Sequence, residues 1–220
     1  MKYRSVFDII GPIMIGPSSS HTAGATRIGR AARSLLRKQP TWARIRLYGS
    51  FARTYRGHGT DVAIVGGILD FDASDPRIPA ALDTARQMGL DLEIIPDHSP
   101  TEHSNTARVQ LGNDDEAFEL VGISTGGGRV EVVEVNGFPV RLSGDKPAVL
   151  IFHRDRPGVI AEVAALIAHR GVNIAHMEVS RQEQGGEALM IVEVDQPVAL
   201  TLVEELASSP SVEHATGMIS

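Results

Sequence analysis

The sequence predicts an α+β protein of two domains with a boundary near Asp145. Helical and strand-like patterns alternate along the chain. The polar, turn-rich segment Ser143–Pro147 interrupts them and is typical of a linker, and a second set of strands and helices begins after it. We therefore expect the domains to span residues 1–145 and 146–220.

Three helical patterns precede most of the strands in the first domain. The predicted helices are Ser20–Gln39, Asp61–Leu69 with Thr60 as its N-cap, and Pro79–Met88. The predicted strands are Arg44–Tyr48, Asp91–Ile95, Ala107–Leu111 and Ala117–Ser124. The runs VEVVEV and FPVRL flank Asn136-Gly137, which is a strong signal for a β-hairpin.

The second domain shows a compact βαββαβ order. Its predicted strands and helices are, in chain order, Ala148–His153, Pro157–Arg170, Asn173–Arg181, Ala188–Val194, Pro197–Ala207 and Val212–Thr216. This order is that of the ferredoxin-like split unit.

The composition narrows the classes of protein. The chain has 220 residues, 42% hydrophobic residues and a net charge of −6 without a cluster of basic residues, so neither nucleic acid nor a membrane surface is expected as a partner. No apolar run approaches the roughly 20 residues that span a bilayer. The first residues are too polar for a signal peptide, and the cytoplasm is the expected location. Cysteine is absent, which excludes a cysteine nucleophile or an all-cysteine metal site in this chain.

The run GPSSSHTAG, Gly16–Gly24, places several hydroxyl groups and a histidine at a predicted helix start. It lacks the lysine of a phosphate-binding loop and the glycine spacing of a nucleophile elbow. A helix N-terminus favours an anion, and hydroxyl groups add hydrogen-bond donors. The alternative is that Ser18 or Ser20 only caps the helix, and the residues alone leave both readings open. The candidate residues are Ser18, Ser19, Ser20, His21 and Thr22.

A second histidine stands in GHGTD, Gly57–Asp61. Its flanking glycines let a ligand approach His58 closely, directly before another predicted helix. The alternative is an ordinary exposed loop histidine. His98 and His103 share a proline-containing loop without the spacing of a metal site, so no metal is expected there.

The second domain offers a candidate amino-acid site. A helix beginning near Pro157 can receive a carboxylate, while Asp155 and the side-chain oxygen of Asn173 can receive an ammonium group, with His153 beside them. We expect these residues at one edge of the sheet. The alternative is a helix cap and a turn asparagine.

Four segments of the first domain resemble the β chain of the two-chain, iron–sulfur-dependent L-serine dehydratase. They are SVFDIIGPIMIGPSSSHTAG, LYGSFARTYRGHGTD, the HSNT loop and the GGGRVEVVEVNG hairpin. The run from DRPGVI through GVNIAHM resembles an ACT domain, so the resemblance covers nearly the whole chain. The first domain is also similar to the allosteric substrate-binding domain of some phosphoglycerate dehydrogenases.

The resemblance implies conversion of L-serine to pyruvate and ammonia, a lyase reaction of amino-acid degradation and gluconeogenesis. A [4Fe–4S] cluster serves as Lewis acid in this family. Because cysteine thiolates hold such clusters and this chain has none, the cluster is expected on a separate, cysteine-containing α chain. This chain alone should be inactive.

The resemblance also implies roles for the candidate residues. His58 is the candidate for proton transfer or orientation, with His21 as the second choice. The substrate-binding residues are Ser18, Ser19, Ser20, Thr22, Thr60 and Asp61, of which the last two would hold His58 in place. The ACT domain is expected to be regulatory, to pair with a second copy and to bind a small amino acid, with a monovalent cation as the competing ligand.

A different class of protein fits part of the same features. In that reading the chain is a non-catalytic, amino-acid-sensing regulatory protein, and both domains bind an effector. Co-purification with a cysteine-rich partner would favour the dehydratase, and an isolated serine-binding dimer would favour the sensor. A metal-dependent hydrolase that uses the histidines has no supporting ligand spacing.

Overall fold

The computed structural model describes residues 13–36, 38–143 and 146–218. They form two compact units. The first unit contains the described residues as far as Asn136 and also the segment Arg141–Ser143. The second contains the segment Gly137–Val140 and the described residues from Lys146 onward. Asp145 and most of the run SVFDIIGPIM lie outside the described residues, so the predicted domain limits stay a prediction.

A mixed sheet and several helices make up the chain as far as residue 143. A π-helical turn, Ser19–Ala23, leads into the first helix, and a 3₁₀ turn, Ile78–Ala80, leads into the fourth. The helices are α1 Gly24–Leu35, α2 Gly49–Thr54, α3 Thr60–Ile68 and α4 Ala81–Gln87. The strands are β1 Trp42–Tyr48, β2 Asp91–Asp97, β3 Asn105–Gly112, β4 Ala117–Gly126, β5 Arg129–Val135 and β6 Phe138–Leu142.

The six strands lie in the order β2-β1-β3-β4-β5-β6. β1 is parallel to β2 and antiparallel to β3, and the β3–β4 and β4–β5 pairs are antiparallel. One face is apolar: in β1 the side chains of Ala43, Ile45 and Leu47 are fully buried, while Arg46 between them is exposed. Helix α1 covers this face, since a Cβ atom on Gly122 of β4 would lie 2.9 Å from the Ile28 side chain.

Helices α1 and α3 touch through backbone at a pair of glycines. A Cβ atom on Gly29 would lie 2.1 Å from the carbonyl oxygen of Ile64, and one on Gly67 would lie 2.1 Å from that of Thr26. Only residues without a side chain allow so close an approach. Both helices run in the same direction, because His21 and His58, which precede these glycines by similar chain lengths, are also in contact.

The predicted elements of this unit are mostly confirmed, with shifted ends. Helix α1 ends at Leu35 rather than at Gln39, because Leu36 is already extended (φ −92°, ψ 132°). Thr60 is not the N-cap of α3: Gly59 holds that position in the left-handed conformation at φ 65°, and Thr60 is the first helical residue and fully buried. Helix α2 was not expected, because its six residues carry no amphipathic repeat.

The second unit confirms the predicted βαββαβ order. Its elements are β7 Ala148–Arg154, α5 Val159–His169, β8 Ile174–Arg181, β9 Glu187–Val194, α6 Leu200–Ala207 and β10 Val212–Met218. The antiparallel sheet has the order β10-β7-β9-β8, so β8 is an edge strand. Alternate residues of the central strands, such as Val149, Ile151 and Val192, form a core with Val163 and Ile167 of α5. In the described ranges of both units, none of the helices has the length and apolar character needed to cross a membrane.

Candidate active site

The hydroxyl-rich run forms the π-helical turn that precedes α1. Ser18 caps it, because its Oγ accepts a hydrogen bond from the His21 backbone N–H at 3.3 Å. Gly16 packs on the other side, where a Cβ atom would lie 2.3 Å from Oγ1 of Thr22. The Ser18 cap is therefore part of the same segment as the other candidate hydroxyl groups, and π-helical turns often occur at functional sites.

His21 is buried beneath this turn, with 8% of its surface exposed. Its Nε2 lies 3.1 Å from Oγ of Ser50 at the start of α2, and its Nδ1 lies 3.4 Å from Oγ of Ser18. The ring of Phe51 packs edge-on against it at a centroid distance of 5.2 Å. Hydroxyl groups can donate or accept, so both nitrogens of a neutral imidazole are served.

His58 lies in the loop between α2 and α3 and meets His21 directly. The ring centroids are 4.7 Å apart and the ring planes make an angle of 84°. Burial lowers the pKa of His21, and the nearby His58 lowers that pKa further. His21 is therefore mostly neutral at pH 7, and protonation of its imidazole is less favourable than that of an ordinary histidine.

Unpaired polar atoms gather around the two histidines. In the part of the chain that the structure describes, five buried side-chain atoms of this region have no hydrogen-bond partner: Thr22 Oγ1, His58 Nδ1, Thr60 Oγ1, Asn105 Oδ1 and Ser124 Oγ. Each such group costs about 1–3 kcal/mol when nothing bonds to it. Their concentration at one place indicates a region built to receive polar groups from outside the chain.

The structure brings most of the predicted site residues together. Ser19, Ser20 and Thr22 belong to the π-helical turn, and Thr60 begins α3 two residues after His58. The expectation that Thr60 and Asp61 hold His58 in place is not supported. Oδ1 of Asp61 accepts from the Val62 N–H at 2.9 Å, and the His58 N–H donates instead to the Thr54 carbonyl oxygen at 2.9 Å.

Sequence reasoning missed three residues of this region. Ser50 and Asn105 stand inside the quoted runs LYGSFARTYRGHGTD and HSNT, but nothing local distinguished them. Ser124 lies within β4, where a serine carries no signal. Its position becomes evident only from packing, because a Cβ atom on Gly24 would lie 2.2 Å from Oγ of Ser124.

The described residues do not fit an iron–sulfur cluster. The chain contains no cysteine, and the described ranges contain no group of three or more histidine, cysteine, aspartate or glutamate residues placed to hold a metal ion. The loop with His98 and His103 borders a cavity of 550 Å³ beside Gly49 and Arg53. Nδ1 of His103 is occupied there by the Asn105 backbone N–H at 3.2 Å.

The second unit does not assemble its three candidate residues as expected. Asp155 lies past the end of β7, where its carboxylate binds Arg181 at 2.7 Å and the Gly185 N–H at 3.1 Å, and these hydrogen bonds lower its pKa. Asn173 precedes β8, and its Nδ2 donates to Asp195 at 2.6 Å. The expected shared edge is wrong: β7 and β8 both run antiparallel to β9, so the residue before β8 lies at the opposite end of the sheet.

His153 is the second-last residue of β7 and is buried. It is 2% exposed, and its Nδ1 donates to the Arg154 carbonyl oxygen at 2.8 Å. That bond leaves Nε2 as the acceptor nitrogen, and Nε2 is buried without a partner among the described residues. The Nε2 atom of His153, near Asp155, can therefore accept a hydrogen bond from a ligand.

Two known protein families match the chain. Residues 5–94 match the family described as serine dehydratase beta chain, and residues 148–210 match the ACT domain. A probable L-serine dehydratase beta chain of Bacillus subtilis is 52% identical over 98% of both chains. An L-serine dehydratase beta chain of Peptoniphilus asaccharolyticus is 35% identical over 92% of both. The chain belongs to the L-serine dehydratase β-chain family and carries a C-terminal ACT domain.

A second kind of relative shares only part of the chain. The D-3-phosphoglycerate dehydrogenase of Methanocaldococcus jannaschii is 30% identical over 115 residues, which are 52% of this chain and 22% of that protein. The likeness is therefore to a portion of a much longer enzyme.

The lowered pKa of His21 predicts a measurable titration. In NMR spectra of the full chain, His21 should titrate below the ordinary histidine value of about 6.5. In the His58→Gln variant its pKa should rise but stay below that value, because burial is the larger cause. Between the lowered pKa and about 6.5 the unfolded chain binds the proton and the folded chain does not, so folding stability falls as the pH falls through this range. A native His21 that titrates at or above 6.5 would contradict the lowering of its pKa by burial.

Proposed function

We propose that the chain is the β subunit of an iron–sulfur-dependent L-serine dehydratase, which converts L-serine to pyruvate and ammonia together with an α chain. The single observation that carries the proposal is the contact between His21 and His58 beside a cluster of unpaired hydroxyl groups. The proposed substrate is L-serine because both beta-chain relatives are named as L-serine dehydratases.

The hydroxyl groups suit the substrate carboxylate. The π-helical turn and α3 both begin beside the histidine pair, so two helix N-termini converge where an anion gains from their dipoles. Ser18 is engaged as a cap, which leaves Ser19, Ser20 and Thr22 as carboxylate-binding candidates, with Thr60 at the start of α3. Asp61 carries a negative charge that would repel a carboxylate, so it stays a candidate for another part of the substrate. The helix dipoles and the hydroxyl groups can therefore stabilise the carboxylate of an amino acid.

His58 is the candidate for taking the α-proton of serine. Of the two histidines it is the less buried, and its Nδ1 has no partner among the described residues. His21 is held by Ser50 and Ser18 through its two nitrogens, so its role is to orient His58 through their ring contact. A neutral imidazole is the form that accepts a proton. After loss of the β-hydroxyl group, the aminoacrylate rearranges to an imine that water hydrolyses.

Departure of the hydroxyl group needs an acid that this chain does not supply. We assign it to a [4Fe–4S] cluster on a cysteine-containing α chain, since clusters need thiolate ligands and this chain has none. The beta-chain names of the relatives support such a partner. The contribution of this chain is to bind the substrate, to orient it and to move its proton.

The ACT domain has a regulatory role in this proposal, and it acts by pairing with the ACT domain of a second copy of the chain. The edge strand β8 offers unpaired backbone groups, and Val179 on it is 40% exposed. Two β8 strands related by a two-fold axis perpendicular to the sheet run antiparallel. Asn173 of one copy then lies near the end of β8 where the other copy holds Arg181 with Asp155. An amino-acid effector would meet Asp155 and His153 of one copy and Asn173 of the other.

The alternative is an amino-acid-sensing regulatory protein without a catalytic role. It is favoured by the partial likeness to D-3-phosphoglycerate dehydrogenase. In that case the histidine pair would bind an effector and no reaction would depend on it. The two functions differ in whether turnover is lost when His58 is replaced.

Replacement of His58 should abolish most turnover in the complex of this chain with its α chain. His58→Gln should lower kcat by about two to four orders of magnitude, the usual scale for a lost acid–base group. Binding of L-serine, measured by calorimetry, should change little. His169→Gln, an exposed histidine at the end of α5, is the matched control and should leave kcat unchanged. If the His58→Gln complex keeps its turnover, the proposed role of the pair fails.

Mixing two variants tests the paired effector site. Asp155→Ala and Asn173→Ala should each weaken L-serine binding to the full chain by about 1–3 kcal/mol, because each leaves a polar group of the ligand unpaired. When the two variants are mixed, about half of the dimers are hybrids with one intact site, so about a quarter of the tight sites return. Gln87→Ala in α4 is the control. A monomeric chain, heat with potassium but not with serine, or no recovery on mixing would contradict this arrangement.

A further inference from the structure

Asn105 has a side-chain amide whose orientation is fixed by its surroundings. Its Nδ2 lies 3.5 Å from the carbonyl oxygen of Ser124, which accepts hydrogen bonds and cannot donate them. The NH₂ end therefore faces Ser124, and the oxygen faces away from it. This Oδ1 atom is buried and has no partner among the described residues.

The backbone around Asn105 is tied to the histidine pair. Gly49 forms a β-bridge with Asn105, and the Ser50 N–H donates to the Ser104 carbonyl oxygen at 2.5 Å. A Cβ atom on Gly49, whose φ is +55°, would lie 2.5 Å from that same oxygen. Ser50 in turn contacts His21 through its Oγ. Asn105 thus pairs with Gly49, the residue directly before Ser50, which contacts His21.

The opposite flank connects Asn105 to the π-helical turn. Ser124, the partner of its amide nitrogen, is fully buried and packs against Gly24, where the turn continues into α1. Gly126 of the same strand approaches Ser20, since a Cβ atom on it would lie 4.0 Å from the Ser20 Oγ. Asn105 is therefore connected through Ser124 to the turn that carries the hydroxyl groups, and through Gly49 to the segment that holds His21.

The chemistry of the unpaired atom defines its partner. An amide oxygen only accepts hydrogen bonds, whereas the neighbouring hydroxyl groups of Thr22 and Ser124 can also donate them. A buried acceptor without a donor is costly, so a donor is expected when the site is filled. Of the two ends of an amino acid, only the ammonium group donates.

We propose that Asn105 is a specificity-determining residue that accepts a hydrogen bond from the α-ammonium group of the substrate. This inference rests on the proposed function. It orients the substrate, with the ammonium group at the start of β3 and the carboxylate at the hydroxyl-rich π-helical turn. It also predicts that the site distinguishes α-amino acids from α-hydroxy acids of the same size, because a hydroxyl group in place of the ammonium carries no charge for this acceptor.

The test compares L-serine with glycerate, which replaces the ammonium by a hydroxyl group, on the reconstituted complex. Asn105→Ala should weaken L-serine binding by about 10- to 100-fold and glycerate inhibition by a clearly smaller factor, because the hydroxyl of glycerate makes only the weaker, uncharged hydrogen bond to the amide oxygen. Asn105→Asp should keep L-serine binding within about fivefold and weaken glycerate by about 10-fold or more, because the new carboxylate attracts the ammonium of serine but repels the glycerate anion, which has no ammonium group to compensate. Gln110→Ala, an exposed amide on the same strand, is the control.

The outcomes separate the two proposals. If the unmutated complex neither binds nor deaminates L-serine, the proposed function fails. If it does both, and Asn105→Ala weakens serine and glycerate equally, Asn105 contacts the α chain or only shapes the site, and the present inference is overturned. Should the alanine variant fail to assemble with the α chain, the aspartate variant decides: equal loss for both ligands contradicts the ammonium contact.

Discussion

The close contact between α1 and α3 at Gly29 and Gly67 is the constraint on which the candidate site depends. Because the backbones of the two helices touch, any larger residue would separate them, and overpacking of this kind costs about 1–3 kcal/mol. The helices run in the same direction, so fixing their separation at the glycines also fixes their N-terminal ends. His21 enters one helix and His58 precedes the other, and the imidazole contact follows from the backbone contact.

The resulting site contains groups that bind polar ligands, but its described residues contain no set of metal ligands. It presents two helix N-termini, several hydroxyl groups and two imidazoles in contact, of which the buried His21 has a lowered pKa. These are the groups that the proposed binding and deprotonation of an amino acid would use. It presents no thiolate and no cluster of metal-binding side chains in the described ranges. These features agree with the proposal that the chain forms one part of a shared active site, whose unpaired polar atoms a substrate or a partner chain would satisfy.

Local sequence predicted what depends on local physics. The βαββαβ order, the Asn136-Gly137 hairpin and the two histidines beside helix starts follow from periodicity, turn chemistry and glycine placement. The misjudged features depend on register or packing. Asn173 lies at the opposite end of the sheet from Asp155, because β7 and β8 both pair antiparallel with β9. Ser124 joins the site only through contacts with Gly24 and Asn105, both distant in sequence. Thr60 lost the cap position to Gly59, whose left-handed backbone a threonine rarely adopts.

The central claim is that this chain supplies the substrate-binding and proton-transfer half of a shared active site. It is tested most directly by assaying ammonia release from L-serine with this chain alone, with its α chain alone, and with both, while following cluster absorbance under anaerobic conditions. The account predicts activity only for the mixture, with the absorbance travelling with the α chain because this chain has no cysteine. Serine deamination or cluster absorbance from this chain alone would contradict it.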